Sequence, residues 1–161
     1  MQNYHRPVLH FTPQKGWIND PNGLVYENGN YHLFAQHYPD DIQWGPMHWY
    51  HAVSKDLVHW QHLPIALAPD ELGMIFSGSA VYDAENTSGF GSKEHPPIVA
   101  MYTSHGETEQ QSLAWSVDFV HFHKYEDNPV IPNTALPDFR DPKILPNPKG
   151  GWTVVLAAGD R

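Results

Sequence analysis

Two carboxylates in this chain sit in Asp-Pro dipeptides, Asp20-Pro21 and Asp141-Pro142. The first lies in the run Trp17-Ile18-Asn19-Asp20-Pro21-Asn22-Gly23. Pro21 fixes its own φ and biases Asp20 toward an extended conformation. Asn22-Gly23 supplies the chemistry of a turn leading into a strand. A carboxylate held rigidly beside a Trp and an amide suits work on a sugar, and glycoside hydrolysis is usually done by two facing carboxyl groups. Arg140, next to Asp141, is expected to keep that carboxylate ionised and to hydrogen-bond a substrate hydroxyl. Each Asp-Pro pair taken singly is also an ordinary turn former.

Other residues could complete such a site. Gln36, Trp44, His48, Trp49 and His51 form a dense polar-aromatic group. A ring packs on the apolar face of a sugar while amide and imidazole groups bond hydroxyls. His48 and His51 also invite a metal reading, but two His three apart with no Cys nearby are a weak signal. On a strand they would point to opposite faces. Ser77 and Gly78 are small enough to leave room for a ligand, and Phe76 and Phe139 are expected at the pocket mouth. A Ser-His-Asp hydrolase is disfavoured, since the chain has no Gly-x-Ser-x-Gly elbow. No metal or organic cofactor is implied.

The elements that must position these groups are strands. Helical periodicity is nearly absent, and short β-type runs alternate with Gly, Pro, Asn and Asp. The runs read as strands are 23–26, 31–36, 48–54, 58–63, 75–82, 98–103, 112–116 and 152–157. Glu27-Asn28-Gly29-Asn30 reads as a hairpin turn. The run Ser54-Lys55-Asp56-Leu57-Val58-His59-Trp60 returns 62 residues later as Ser116-Val117-Asp118-Phe119-Val120-His121-Phe122. Asn19-Asp20, Ser77-Gly78 and Arg140-Asp141 open successive units of about 60 residues with four β-runs each, the signature of propeller blades. Asp20 and Asp141 therefore take equivalent places, which favours function over turn formation. A propeller needs at least about four blades to close, so the chain is expected to be a piece of a larger toroid. A compact β-sandwich is the alternative.

Composition narrows the class. With 40% hydrophobic residues the chain can build a core, and disorder is disfavoured. A net charge of −9 with only nine Lys and Arg disfavours nucleic-acid binding. The absence of cysteine excludes disulfides and thiolate metal sites. No run reaches the ~18 apolar residues of a membrane span, and residues 1–7 lack an apolar signal core. The direct expectation is a soluble cytoplasmic protein, or a secreted one if a signal peptide has been removed.

On these motifs the chain resembles the N-terminal part of glycoside hydrolase family 32, the invertase, levanase and exo-inulinase (β-fructofuranosidase) group. The matching segments are 17–23, 34–36, 44–49, 51–54, 56–60, 76–79 and 139–143, in the family's order. The resemblance implies an all-β, five-bladed propeller followed by a β-sandwich. Residues 1–161 would be the N-terminal portion of the catalytic domain, roughly its first two and a half to three blades. It implies release of terminal β-D-fructofuranosyl units, with retention, from sucrose or from inulin- or levan-type fructans. Asp20 matches the family's nucleophile and Asp141 its transition-state stabiliser. Asn19, Gln36, Trp44, Phe76, Ser77 and Arg140 match positions lining the fructose subsite. Two positions depart from the family pattern, which usually has Tyr at position 35 and often Gly at position 50; this chain has Ala35 and Tyr50. The family's acid/base is a Glu in a Glu-Cys element, expected beyond position 161. Glu27, Glu71, Glu85, Glu94, Glu107, Glu109 and Glu126 do not open a unit, and none is assigned the role. A non-catalytic fructan-binding fragment, a related glycosidase acting on arabinofuranosides, and fructosyl transfer in place of hydrolysis stay open as alternatives.

Overall fold

The computed structural model describes residues 6–133 and 135–159. Among them there are ten strands and no helix. β1 (Trp17–Glu27), β2 (Asn30–Tyr38), β3 (His48–Ser54) and β4 (Trp60–His62) form one antiparallel sheet in chain order. β5 (Met74–Tyr82), β6 (Ile98–His105), β7 (Glu109–Ser116) and β8 (His123–Lys124) form a second. β9 (Phe139–Pro146) and β10 (Trp152–Ala158) pair as a third, two-stranded sheet. The first strand of each sheet packs on the first strand of the next, β5 lying against both β1 and β9. This is the radial arrangement of propeller blades around an axis.

Local chemistry explains most of the elements. Asn28 and Gly29 both have positive φ, 39° and 90°, as a two-residue hairpin matched to strand twist requires. The repeated heptads fold into matching turns that link the last two strands of each blade. Asp56 Oδ1 accepts from the Val58 and His59 amides, and its Oδ2 lies 2.7 Å from His59 Nδ1. Asp118 does the same with Val120 and His121. Leu57 and Phe119 take matching positive φ values of 65° and 62°. Phe119 and Phe122 turn inward and pack on the core formed by Phe34, Trp49, Ile75, Ile98 and Tyr102. That core lies between the first two blades.

The structure corrects the sequence reading in several places. Residues 17–22 are not a turn before a strand; they belong to β1, which is bulged there. Ile18 pairs with His37 and Pro21 with Ala35, so Asn19 and Asp20 together face Gln36. β6 and β7 extend beyond the predicted runs, and β4 is shorter. β9 carries Pro142 and Pro146 and is nonetheless one continuous strand. Its bulge places Asp141 and Pro142 opposite Leu156, where Pro needs no ladder hydrogen bond. The two departures from the family pattern are cross-strand partners, since Ala35 pairs directly with Tyr50. The bulk that the resemblance leads one to expect on β2 stands on β3 instead. The Tyr50 hydroxyl lies 2.9 Å from His62 Nδ1 and accepts from the Gln14 amide at 3.2 Å.

Trp49 and His51, expected on a sugar-binding surface, are fully buried. His51 stacks on Phe34, and its Nε2 lies 3.0 Å from His32 Nδ1. Burial, with His32 adding to it, pushes His51 down to about 3. Burial also lowers His32 and His37. Below pH 6.5 the unfolded chain takes up protons that the folded chain refuses, so stability falls as pH falls from there toward 3. Denaturant titrations at pH 7 and pH 4.5 should differ by about 2–3 kcal/mol from His51 alone. Equal midpoints would contradict this account of the buried pair.

Candidate active site

Each blade opens with a bulge at the same level. Asn19-Asp20 face Gln36 in β1, Phe76-Ser77 face Thr103 in β5, and Asp141-Pro142 face Leu156 in β9. A bulge leaves its extra residue out of the ladder and re-aims its side chain. The register refines the repeat. Asp20 is the second residue of its bulge and Asp141 the first of its own, so the two Asp-Pro pairs are offset by one position. Gly78 follows the middle bulge because a Cβ there would lie 2.1 Å from Met101 O. Asp141 itself holds φ 61°, a left-handed conformation that Asp tolerates better than most residues and that is often found at functional sites.

The three bulges converge on one cavity of about 140 Å³, lined by Asn19, Asp20, Gln36, Trp44, Phe76, Ser77, Arg140 and Asp141. All eight candidate residues are thus brought together. The Asp20 carboxylate is oriented from two sides. Asn19 Nδ2 donates to its Oδ1 at 3.1 Å and Ser77 Oγ to its Oδ2 at 2.9 Å. Asn19 is fixed in turn by Trp17 Nε1, which donates to its Oδ1 at 2.9 Å. Gln36 is buried, and its Nε2 has no hydrogen-bond partner among the described residues although it lines the cavity. Trp44 is 55% exposed and meets Phe76 edge-on at 6.4 Å. Phe76 is braced by stacking on His105 at 4.0 Å, and its carbonyl accepts from Trp49 Nε1.

Arg140 favours the ionised form of Asp141 by charge, but its hydrogen bonds among the described residues go elsewhere. Its Nη1 donates to Glu109 Oε1 at 2.9 Å, Glu109 Oε2 at 3.1 Å and Asp138 Oδ1 at 2.5 Å. The hydrogen bonds to Asp138 and Glu109 raise the Arg140 guanidinium further above its ordinary value. Asp141 is held above the usual carboxylate range, chiefly by desolvation. Arg140 opposes this, while the nearby Asp20 and Glu109 add to it. Its amide donates to Thr103 Oγ1, which donates to Gln111 Oε1 at 2.8 Å. Phe139 does not line the cavity; its carbonyl accepts from Gln111 Nε2 and its amide donates to Glu109. Glu109, Gln111, Thr103 and His105 were therefore missed by sequence reasoning. The available signal was a pair of polar side chains spaced by two, Glu109 and Gln111, opening a strand that the sequence reading starts only at Ser112.

His48 and His51 face different surroundings, His48 Nδ1 lying 2.8 Å from Pro46 O and His51 in the core. A larger, open groove of about 280 Å³ runs along the outer edge of the first blade by Asn30, Ser54, Asp56 and His59. Its Asp56 and His59 are already paired with each other. The smaller cavity is the candidate site because it gathers carboxylates from two blades.

This cavity can hold a small polyol. Aromatic edges lie on one side, amide and hydroxyl donors surround one carboxylate, and a second carboxylate comes from another blade. The sequence matches the family profile "Glycosyl hydrolases family 32 N-terminal domain" over residues 10–161. It is 59% identical over 160 residues to a levanase of Bacillus subtilis, covering 98% of this chain and 24% of that protein. It is 44% identical over 189 residues to an extracellular exo-inulinase of Aspergillus awamori, covering 98% of this chain and 35% of that one. The structure superposes on that of a fructofuranosidase from Schwanniomyces occidentalis complexed with fructose, with a TM-score of 0.87 and 44% identity over 95% of this chain and 32% of the other. The chain thus spans between about a quarter and about a third of the length of these relatives. With its bulged, blade-opening carboxylates and its profile match over nearly the whole length, the chain belongs to glycosyl hydrolases family 32, within the family's N-terminal propeller domain.

Proposed function

We propose that this chain is the N-terminal portion of the catalytic propeller of a retaining glycosidase that releases terminal β-D-fructofuranosyl units from sucrose or fructans. The observation that carries the reading is the convergence of Asp20 and Asp141, with six polar or aromatic neighbours, on one cavity. Asp20 attacks the anomeric carbon and the glycosidic bond breaks. The leaving oxygen takes a proton from a general acid, which we assign to a Glu outside these 161 residues. The resulting fructosyl ester on Asp20 is then hydrolysed by water with that same Glu as base. Ser77 and Asn19 present the Asp20 oxygens. Asp141 and Arg140 hold fructose hydroxyls as the ring gains positive character, and Gln36 Nε2 donates to another. Trp44 and Phe76 supply apolar walls.

Incubating the complete protein that carries this chain with sucrose, inulin and levan tests the proposal. Fructose should be released, and methanol as acceptor should give methyl β-fructofuranoside. Absence of fructose from all three, or an inverted methyl fructoside, would overturn it. A second reading, that the chain alone binds fructans without cleaving them, is favoured by one observation: no Glu lines the cavity among the described residues. Calorimetric binding of fructo-oligosaccharides to this 161-residue chain without hydrolysis would favour that reading. Turnover by the same chain would reject it.

A further inference from the structure

We infer that Glu109 is a positioning residue for this pocket, fixing Arg140 from behind and bracing Phe76 through His105; the inference rests on the fructosidase reading above. Glu109 opens β7, is buried, and does not line the cavity. Its two oxygens accept from Arg140 Nη1, and Oε2 also accepts from the Phe139 amide at 2.8 Å. His105 Nδ1 lies 3.2 Å from Oε1, and the His105 ring stacks on Phe76 with an interplanar angle of 9°. One buried carboxylate therefore touches groups that reach two walls of the cavity, Arg140 from the third blade and Phe76 from the second.

The arrangement does what a substrate would otherwise have to do. A free Arg side chain loses much rotamer entropy when it is fixed, and ordering it in advance leaves that cost out of binding. Of the two carboxylates on Arg140, Asp138 is half exposed while Glu109 is almost wholly enclosed. The fixed geometry therefore comes from Glu109. Burying a carboxylate is costly unless its oxygens are met, and here both are. Gln111, two residues on and on the same face, holds the carbonyl of Phe139 while Glu109 holds its amide. β7 thus clamps the start of β9, and Glu109 extends the clamp to side chains that face the ligand.

The test uses the complete protein carrying this chain. Glu109→Gln keeps the size and can still accept the Phe139 amide, but loses the charge. We expect kcat/KM for sucrose to fall about ten- to a hundred-fold, borne by KM, with kcat held within about three-fold. In an Arg140→Ala background the same change should cost only the few-fold carried by the His105–Phe76 arm, because its larger part acts through Arg140. A Glu109→Gln enzyme with kcat/KM within about two-fold of the parent, or full additivity with Arg140→Ala, would overturn the inference. Should Glu109→Gln fail to fold, His105→Ala, at a partly exposed position, reads the second arm. A several-fold rise in KM supports the inference, and an unchanged KM overturns it. If the parent itself releases no fructose, the functional reading falls, and calorimetric titration with fructose still decides on Glu109. Weaker binding in Glu109→Gln supports its role, and equal binding overturns it.

Discussion

Replacing Asp20 by Ala in the complete protein should lower kcat by about 10⁴-fold or more while leaving the fold intact. Asp20 is on the surface of the cavity and supports no core contact, so its removal leaves no buried void. Among the described residues only Asn19 and Ser77 lose a partner, and both can turn to water. Asp20→Asn should be almost as inactive, although the Asn carbonyl can still accept from Ser77, because an amide cannot form the ester. Ser77→Ala should be far milder, about ten-fold, since it removes one hydrogen bond that orients the nucleophile. Initial rates on sucrose, paired with thermal melts, check the series. An Asp20→Ala enzyme within about ten-fold of the parent would remove the nucleophile assignment.

Asp141→Asn should cost about 10²–10³ in kcat, the scale for losing one preorganised electrostatic group in a transition state. It should also change the pH profile. Desolvation holds the Asp141 carboxyl above its ordinary value, with Asp20 and Glu109 adding to the shift and Arg140 opposing it. If its ionised form is the one that stabilises positive charge on the fructose ring, activity is lost as pH falls through that raised value. The acid limb of kcat/KM should then lie above the ordinary carboxylate value of about 3.9, and should disappear in Asp141→Asn. The stability effect has the opposite sign. A carboxylate whose folded pKa is raised subtracts from stability above its unfolded pKa. Asp141→Asn should therefore melt at or above the parent's temperature, as expected where a strained, charged position is kept for function. Loss of both activity and stability would mean that Asp141 is structural.

What was legible in the sequence is what local chemistry dictates. Asn28-Gly29 can hardly form anything but a tight hairpin, and the Ser-x-Asp-x-x-His pattern closes its own hydrogen bonds within a single turn. The same pattern returning 62 residues later exposed the blade repeat. The pocket residues were legible because the bulges put chemistry-bearing side chains at equivalent starts of strands. What was not legible depends on contacts across blades. Trp49 and His51 carry polar atoms and read as a sugar surface, yet the inner blade faces bury them. Glu109 and Arg140 lie 31 positions apart, and only the packing of β7 on β9 reveals that the guanidinium is occupied by Glu109 and Asp138 rather than by Asp141. The exchange of bulk between Ala35 and Tyr50 appeared as two unrelated departures until the β2–β3 register made them neighbours.

Everything in the proposed mechanism depends on Asp20 forming a covalent bond to fructose. Rapid acid quenching of the complete protein during turnover of sucrose, followed by peptic digestion and mass spectrometry, looks for that bond itself. One hexosyl mass is expected on the peptide containing Asp20, and none in Asp20→Ala. A hexosyl adduct on a different carboxylate, or steady turnover with every peptide unmodified under conditions that trap such esters, would contradict it.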